Sequence, residues 1–542
     1  MLHILMGRAK TGKSDTLLHR IAELGDDSRQ ILLVPEHASH QAEVDLCRVC
    51  GPTASRHAEV LSFRRLSDRV LSITGGLSQV TLDGGGKLLT LQKALSEVAP
   101  MLKVYRRPSQ KAAFLQQMLD LFDELHCYEV TPEILCAQAQ DIEGATHDKL
   151  MDLGLLYGAY EARLHGSGMD VRDRMSKLCD NLESSGYVAV KDIFIDGFTY
   201  FNAQERRVLG ILLKQARSVT VTLLGEPDSR EEIFEATLKT KEQLCRLARE
   251  NGCRVELKTL TVQNDTALGH LERCFFGDNV PYEGDSSSIR VRECDNAFSE
   301  VEQTAADILR LVTGGKCRYR DITVAARNMG DYEGTIETVF ERYGIPAYLS
   351  RRTDILEKPV LSLLTGVLSS ICNGYEYDDM FHWLKTGLAG LTAEECDLLE
   401  NYVLKWDIHG QMWLRDVDWT ENPDGYGIPL TEERAEQLAR VNELRRRVWG
   451  PLYRLAERLK LAETAGEKAD SLYSFMEELD LQDALESQLR AQSEAGRLQD
   501  AEETAQLWEI LCGVLDQFVE ILGNELMELD EFARLFRQVL TQ

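Results

Sequence analysis

The sequence predicts an α/β protein in which parallel sheets are interrupted by large all-α insertions. Three observations carry this reading. An apolar run at 2–6 passes through a glycine-rich turn into an amphipathic helix and then into a second apolar run, QILLVP at 30–35. That order of strand, glycine turn, helix and strand belongs to parallel sheets with crossover helices. Between 86 and 186 the pattern changes to helical spacing and afterwards returns to strands. Beyond Pro359 the apolar residues recur almost everywhere at the helical period.

The elements follow in order. The first helix places Leu17, Leu18, Ile21 and Leu24 on one face, and a third strand is expected at 59–62. Leu115, Met118, Leu119, Phe122 and Leu125 share a helical face, as do Leu150, Leu153, Leu156, Tyr157 and Tyr160. Strands at 192–196 (DIFID), 219–224 (VTVTLL) and 254–260 then complete the first sheet. The polar, turn-rich stretch 276–288 reads as a boundary. A second α/β unit is expected beyond it: strand 289–293, helix 298–312, a Gly314-Gly315 turn, strand 322–326, helix 332–343 and strand 345–349. The expected organisation is a first α/β domain from 1–85 and 187–285, a helical insertion at 86–186, the start of a second α/β domain at 286–370, and a helical insertion at 371–542. The last amphipathic pattern, at 535–540, meets no cap or glycine stop, so a longer natural protein is expected.

Composition narrows the class. The 542 residues suggest about three or four domains. The formal charge of −28 speaks against a surface that grips nucleic acid indiscriminately, though a local basic channel is compatible with it. Much of the acidity lies after residue 450, where twenty acidic residues face eight basic ones on what read as solvated helical faces. The apolar run before Gly7 is too short for a secretion signal, and no stretch approaches the roughly 18 apolar residues of a membrane span. A soluble, cytoplasmic protein without membrane contact is expected. The thirteen Cys have no framework spacing and read as free thiols. Cys47 and Cys50 form a C-x-x-C pair without a second pair, better read as two buried thiols on a helix than as a metal site.

The chemistry concentrates in Gly7-Arg8-Ala9-Lys10-Thr11-Gly12-Lys13-Ser14, which fits G-x-x-x-x-G-K-[ST] between a strand and a helix. Glycines let the backbone wrap phosphate oxygens, and the helix start supplies unpaired N–H groups. In such a loop Lys13 reaches the β- and γ-phosphates of ATP and the Ser14 hydroxyl binds Mg²⁺. Lys10 stands where many such loops carry Gly, which narrows the cradle. Asp196, ending the run DIFID, is the candidate second metal carboxylate. A hydrolysing motor usually has Glu next, to activate water; here the next residue is Gly197, and Glu205 could replace it only if the chain folded back.

These residues, together with several ordered segments, resemble the N-terminal part of the AddB family, the B subunits of the bacterial AddAB helicase–nucleases, related to the UvrD and RecB helicases. The segments are Val34-Pro35-Glu36-His37 with Gln41-Ala42-Glu43; Val60-Leu61-Ser62-Phe63-Arg64-Arg65-Leu66; Asp196-Gly197-Phe198-Thr199 with Gln204; and Val324-Ala325-Ala326-Arg327, followed by Gly344-Ile345-Pro346-Ala347-Tyr348 and Lys358-Pro359-Val360. The resemblance implies two RecA-like domains of the superfamily 1 helicase kind. It places Arg327 where a second domain would approach the γ-phosphate, and matches Ser62, Phe63 and Arg64 to a segment that contacts single-stranded DNA.

The resemblance also implies a partner, an AddA-like helicase/nuclease in a heterodimer that works on single- and double-stranded DNA ends. Its role there would be helicase-like: ATP binding and recognition of the Chi sequence, during processing of double-strand breaks for homologous recombination. Only six residues precede Gly7, leaving no room for the usual adenine-recognising Gln. With Gly197, this predicts weak or no ATPase activity. The complete family protein adds a C-terminal 5′–3′ exonuclease and a [4Fe–4S] cluster, and neither the nuclease motif nor the clustered cysteines are found here. Two other readings stay open: a P-loop phosphotransferase acting on a small molecule, and a structural partner with a vestigial nucleotide site.

Overall fold

The computed structural model describes residues 1–75, 82–108, 111–166, 174–229, 231–262, 264–277, 280–349 and 355–541. Parts of the expected ranges therefore lie outside the described residues: 278–279 in the boundary, 76–81, 109–110 and 167–173 in the first domain and insertion, and 350–354 in the second unit.

One sheet organises the N-terminal half. Its strands are β1 (Leu2–Gly7), β2 (Gln30–Leu33), β3 (Ala58–Leu61), β4 (Asp192–Ile195), β5 (Ser218–Leu224) and β6 (Val255–Thr259). They pair in the order β3-β2-β4-β5-β1-β6, and every pair is parallel. All six strands expected for the first domain are present, within a residue or two at their ends. Alternation along the strands divides the core. Leu2, Ile4, Met6, Ile31, Leu33, Ile193 and Ile195 point to one face. Leu32, Val34 and Phe194 point to the other, with Leu17, Leu18 and Ile21 of the first helix.

The helices of the sheet layer are α1 (Lys13–Leu24), α2 (Ser39–Cys50) and α3 (Phe63–Thr74). Then come α4 (Gly84–Val98), α5 (Ala112–Cys127), α6 (Pro132–Gln140) and α7 (Ala145–Gly166), followed by α8 (Arg174–Ser185), α9 (Ala203–Gln215), α10 (Glu235–Glu250) and α11 (Ala267–Cys274). Leu178, Cys179 and Leu182 place α8 in the core of the sheet, with α3 and α9. The C-x-x-C pair lies on the last turn of α2, but there neither thiol is buried: Cys47 is exposed and Cys50 half-buried, on an outer helix whose buried residues are Ser39 and Leu46.

The second unit departs from expectation. Its helices α12 (Ala297–Thr313) and α13 (Glu333–Arg342) form and enclose Val301, Ala305, Ile308, Ile336, Val339, Phe340 and Ile345. The expected strands at 289–293, 322–326 and 345–349 do not: none of the three is in a hydrogen-bonded ladder. They run as irregular chain, with Val291 at 93% and Tyr348 at 89% exposure. Strand propensity needs a neighbouring strand to become a ladder, and within the described residues these segments have none. Among the described residues there is therefore one parallel sheet where two were expected.

The remainder is helical, as expected: α14 (Pro359–Cys372), α15 (Tyr377–Leu384), α16 (Ala393–Lys405), α17 (Glu432–Leu461), α18 (Ala465–Glu478), α19 (Leu481–Glu494), α20 (Leu498–Leu522) and α21 (Leu529–Leu540). These helices share one continuous core with α4, α5 and α7, so Leu88, Leu91, Phe122 and Leu156 belong to the same cluster as Leu364, Phe475, Phe518 and Phe536. Polar links support it: Gln92 donates to Glu531 at 2.7 Å, and Lys93 to the Ile521 carbonyl at 2.8 Å. Among the described residues no helix is long and apolar enough to cross a membrane.

Candidate functional site: a phosphate loop at the sheet edge

Because the strands are all parallel, the segments leaving β1, β2, β3 and β4 emerge on the same edge of the sheet, the edge where parallel folds bind ligands. The loop from Gly7 to Ser14 leaves β1 there. A Cβ on Gly7 would lie 2.8 Å from the Leu260 carbonyl, too close for any side chain. Gly12 closes the loop at φ 77° as the N-cap of α1, and no side chain caps that end of the helix. Lys10 holds the left-handed conformation at φ 60°, so a glycine-type position is filled by lysine. Ala9, Lys10 and Ser14 are exposed, and Thr11 donates its hydroxyl to the Arg8 carbonyl at 2.9 Å.

The Lys13 ammonium folds back over the loop and donates to the Gly7 and Arg8 carbonyls, each at 2.7 Å. Burial pulls its pKa below the usual lysine value, while the negative charges of Asp196 and Glu272 act in the opposite sense. Asp196 is placed by register. Its N–H bonds the Leu33 carbonyl at 3.0 Å as β4 ends, and the Thr222 hydroxyl of β5 donates to its carboxylate. β5 lies between β4 and β1, so Thr222 ties the acid toward the strands that carry the loop, within electrostatic reach of Lys13. A glycine cradle, an uncapped helix start, a half-buried cation and a carboxylate within its electrostatic reach form a donor set that suits a nucleotide phosphate with its divalent metal.

The position after Asp196 is fixed as glycine for a structural reason: φ is 83°, and a Cβ would lie 3.3 Å from Pro35 Cδ. Nor does Glu205 fold back as a substitute. Its carboxylate accepts the Asn202 N–H at 2.9 Å while its own N–H donates to Asn202 Oδ1 at 2.8 Å, a capping box at the start of α9.

Sequence reasoning missed two residues at this site, Glu231 and Glu272. The Arg8 guanidinium is held by Glu231 at 2.7 Å and by Glu272 at 3.1 Å, and it lies over the Phe234 ring, 4.9 Å from its centroid. Arg8 is therefore committed to two carboxylates rather than pointing toward a phosphate site. Those acids stand 223 and 264 residues away in sequence, so no local pattern announced them.

The expected DNA contacts are changed by burial. Ser62 is 3% exposed; its hydroxyl caps α3 by accepting the Arg65 N–H and donates to Glu36. Phe63, 7% exposed, packs edge-on against Phe198 with ring centroids 5.5 Å apart. As placed, neither can touch a DNA strand, because the side chains of the N-cap Ser62 and of Phe63 turn inward at the start of α3. Arg64 is exposed. Arg327 is exposed too, without an ion-pair partner among the described residues. It lines a cavity of about 650 Å³ with Glu300, Asp331 and Tyr332, which includes no residue of the phosphate loop.

Fold and site together define a phosphate-loop α/β protein with helical insertions. Residues 4–272 match the family described as ADDB, N-terminal. Near-full-length similarity extends to proteins named as the B subunit of an ATP-dependent helicase/deoxyribonuclease. The chain is 32% identical to that of Caldanaerobacter subterraneus subsp. tengcongensis over 98% of this chain and 48% of the relative. It is 34% identical to that of Desulforudis audaxviator over the same shares, and 30% identical to that of Clostridium botulinum over 100% of this chain and 49% of the relative. The chain belongs to the AddB family. It spans about half the length of the curated relatives it matches.

Proposed function

We propose that this chain is the ATP-binding, helicase-like part of an AddB protein that works with an AddA-like partner on DNA ends. Its place would be in double-strand break processing for homologous recombination, with Chi recognition. The observation that carries the reading is Lys13 and Asp196 within electrostatic reach of each other beside the Gly7–Gly12 cradle, in a chain whose relatives bear an ATP-dependent helicase/deoxyribonuclease name. Lys13 and the first-turn N–H groups of α1 would hold ATP phosphates, and Ser14 with Asp196 would hold Mg²⁺. Bound Mg²⁺ supplies charge neutralisation at the phosphates. With Gly197 after Asp196 and Glu205 locked in a cap, no carboxylate of this loop is available to activate water, which favours binding over turnover.

A gel shift with labelled single-stranded DNA, run with and without ATP–Mg²⁺ beside calorimetry of nucleotide binding, tests the reading. DNA and nucleotide binding together support it. Nucleotide binding without DNA binding would favour a small-molecule phosphotransferase, and DNA binding without nucleotide binding would mean a vestigial loop.

A further inference from the structure

In a chain of charge −28, residues 98–119 contain Lys103, Arg106, Arg107 and Lys111 and not one Asp or Glu. The structure anchors its part from Leu102 to Tyr105. After α4 the chain turns, and the backbone N–H groups of Lys103, Val104 and Tyr105 all donate to the Asp152 carboxylate of α7 at 2.7–3.0 Å. Asp152 is only 4% exposed, so this anchor is built into the helical core. The Tyr105 ring packs on Phe114 of α5, centroids 5.7 Å apart.

Around this anchor, Lys103, Arg106, Arg107 and Lys111 are left exposed. Lys103 pairs with Asp148 at 2.8 Å, whereas Arg107 and Lys111 have no ion-pair partner among the described residues. Lys111 is also the N-cap of α5, whose first turn has no acidic residue, so a cation stands where the helix dipole favours an anion. Between Leu102 and Pro108 the apolar side chains are buried or half-buried. Apart from Met101 in the turn after α4, 58% exposed, what remains outward here is charge, which suits a phosphate backbone better than the apolar core of a protein interface.

We propose that this cationic loop between α4 and α5 is a sequence-independent contact for the DNA phosphate backbone. The inference rests on the DNA-binding reading above and adds the surface that would carry it. The test compares the chain with the variant Arg106→Gln/Arg107→Gln/Lys111→Gln and the charge-keeping variant Arg106→Lys/Arg107→Lys, each checked for fold by circular dichroism. Binding to labelled single-stranded and duplex oligonucleotides is followed from 50 to 200 mM salt.

The neutralised variant should bind several-fold more weakly at low salt and converge with the parent as salt rises. Its log–log salt slope should fall by up to about 2 on single strands and about 3 on duplex. The charge-keeping variant should retain the parent slope. Parent and neutralised variant with equal affinity and slope would overturn this inference and leave the DNA reading standing. A parent that binds neither oligonucleotide would overturn both. Tighter binding of polyglutamate than of DNA, lost in the neutralised variant, would overturn it in favour of an acidic protein partner.

Discussion

Lys13→Ala separates a phosphate-binding lysine from one that merely holds its own loop. The substitution removes two hydrogen bonds of 2.7 Å to the Gly7 and Arg8 carbonyls. Neither carbonyl is orphaned, because Gly7 still accepts the Gly225 N–H at 3.0 Å and Arg8 still accepts the Thr11 hydroxyl at 2.9 Å. The change also removes the desolvation of a half-buried cation. Folding stability should therefore fall by about 1 kcal/mol or less. Loss of a charge-assisted contact to phosphate is worth about 1.5–3 kcal/mol, or roughly ten- to a hundredfold in affinity. Calorimetry with ATP–Mg²⁺ reads the second quantity, and urea unfolding the first. A folded variant with parental nucleotide affinity would refute the assignment, most plainly if its stability had dropped by several kcal/mol.

The pH dependence follows from the same residue. Burial lowers the Lys13 pKa from 10.5, and phosphate binding needs the protonated form, so affinity measured by calorimetry should decline at lower pH than for a free lysine. The contribution to stability has the opposite sign: the folded chain holds this proton less tightly than the unfolded one, so stability gains as pH rises from the lowered value towards 10.5. Turnover of ATP with single-stranded DNA present should stay well below the about 1–100 s⁻¹ of a working kinase in a coupled assay. Phe63→Ala should cost about 3–5 kcal/mol in urea unfolding, whereas Arg64→Ala should stay within about 0.5 kcal/mol and act on DNA affinity alone. Lys10→Gly, relieving a left-handed lysine, should raise the unfolding free energy by about 0.5–1 kcal/mol without changing the urea slope.

What was legible in the sequence was what is local. Runs such as QILLVP and DIFID declare central strands because both faces of such a strand are buried. Gly7, Gly12, Lys13 and Ser14 declare a phosphate loop because their spacing is itself the geometry. Long-range partners were silent. Nothing near Arg8 points to Glu231 or Glu272, and nothing in Leu88 says that its neighbours come from α20 and α21. Phe63 illustrates a different failure: an aromatic after a strand fits a base-stacking site or a core equally well until Phe198 and Phe201 are placed beside it. The segment 322–326 has the composition of a strand, but a ladder is a property of two segments and not of one.

The shared core of α4 and the last helices also has a consequence in time. Gln92 meets Glu531 across 439 residues. Ribosomes add about 5–20 residues per second, so the apolar face of α4 would emerge about 20–90 s before the helix that covers it. During that interval Leu88, Leu91 and Leu95 have only the helices of their own segment to shelter them, while the parallel sheet, complete by Thr259, can already close. The nascent chain should thus pass through a state with a finished sheet and an uncovered leucine-rich helix. Its yield should depend on chaperone capacity and growth temperature more than on the stability of the finished fold.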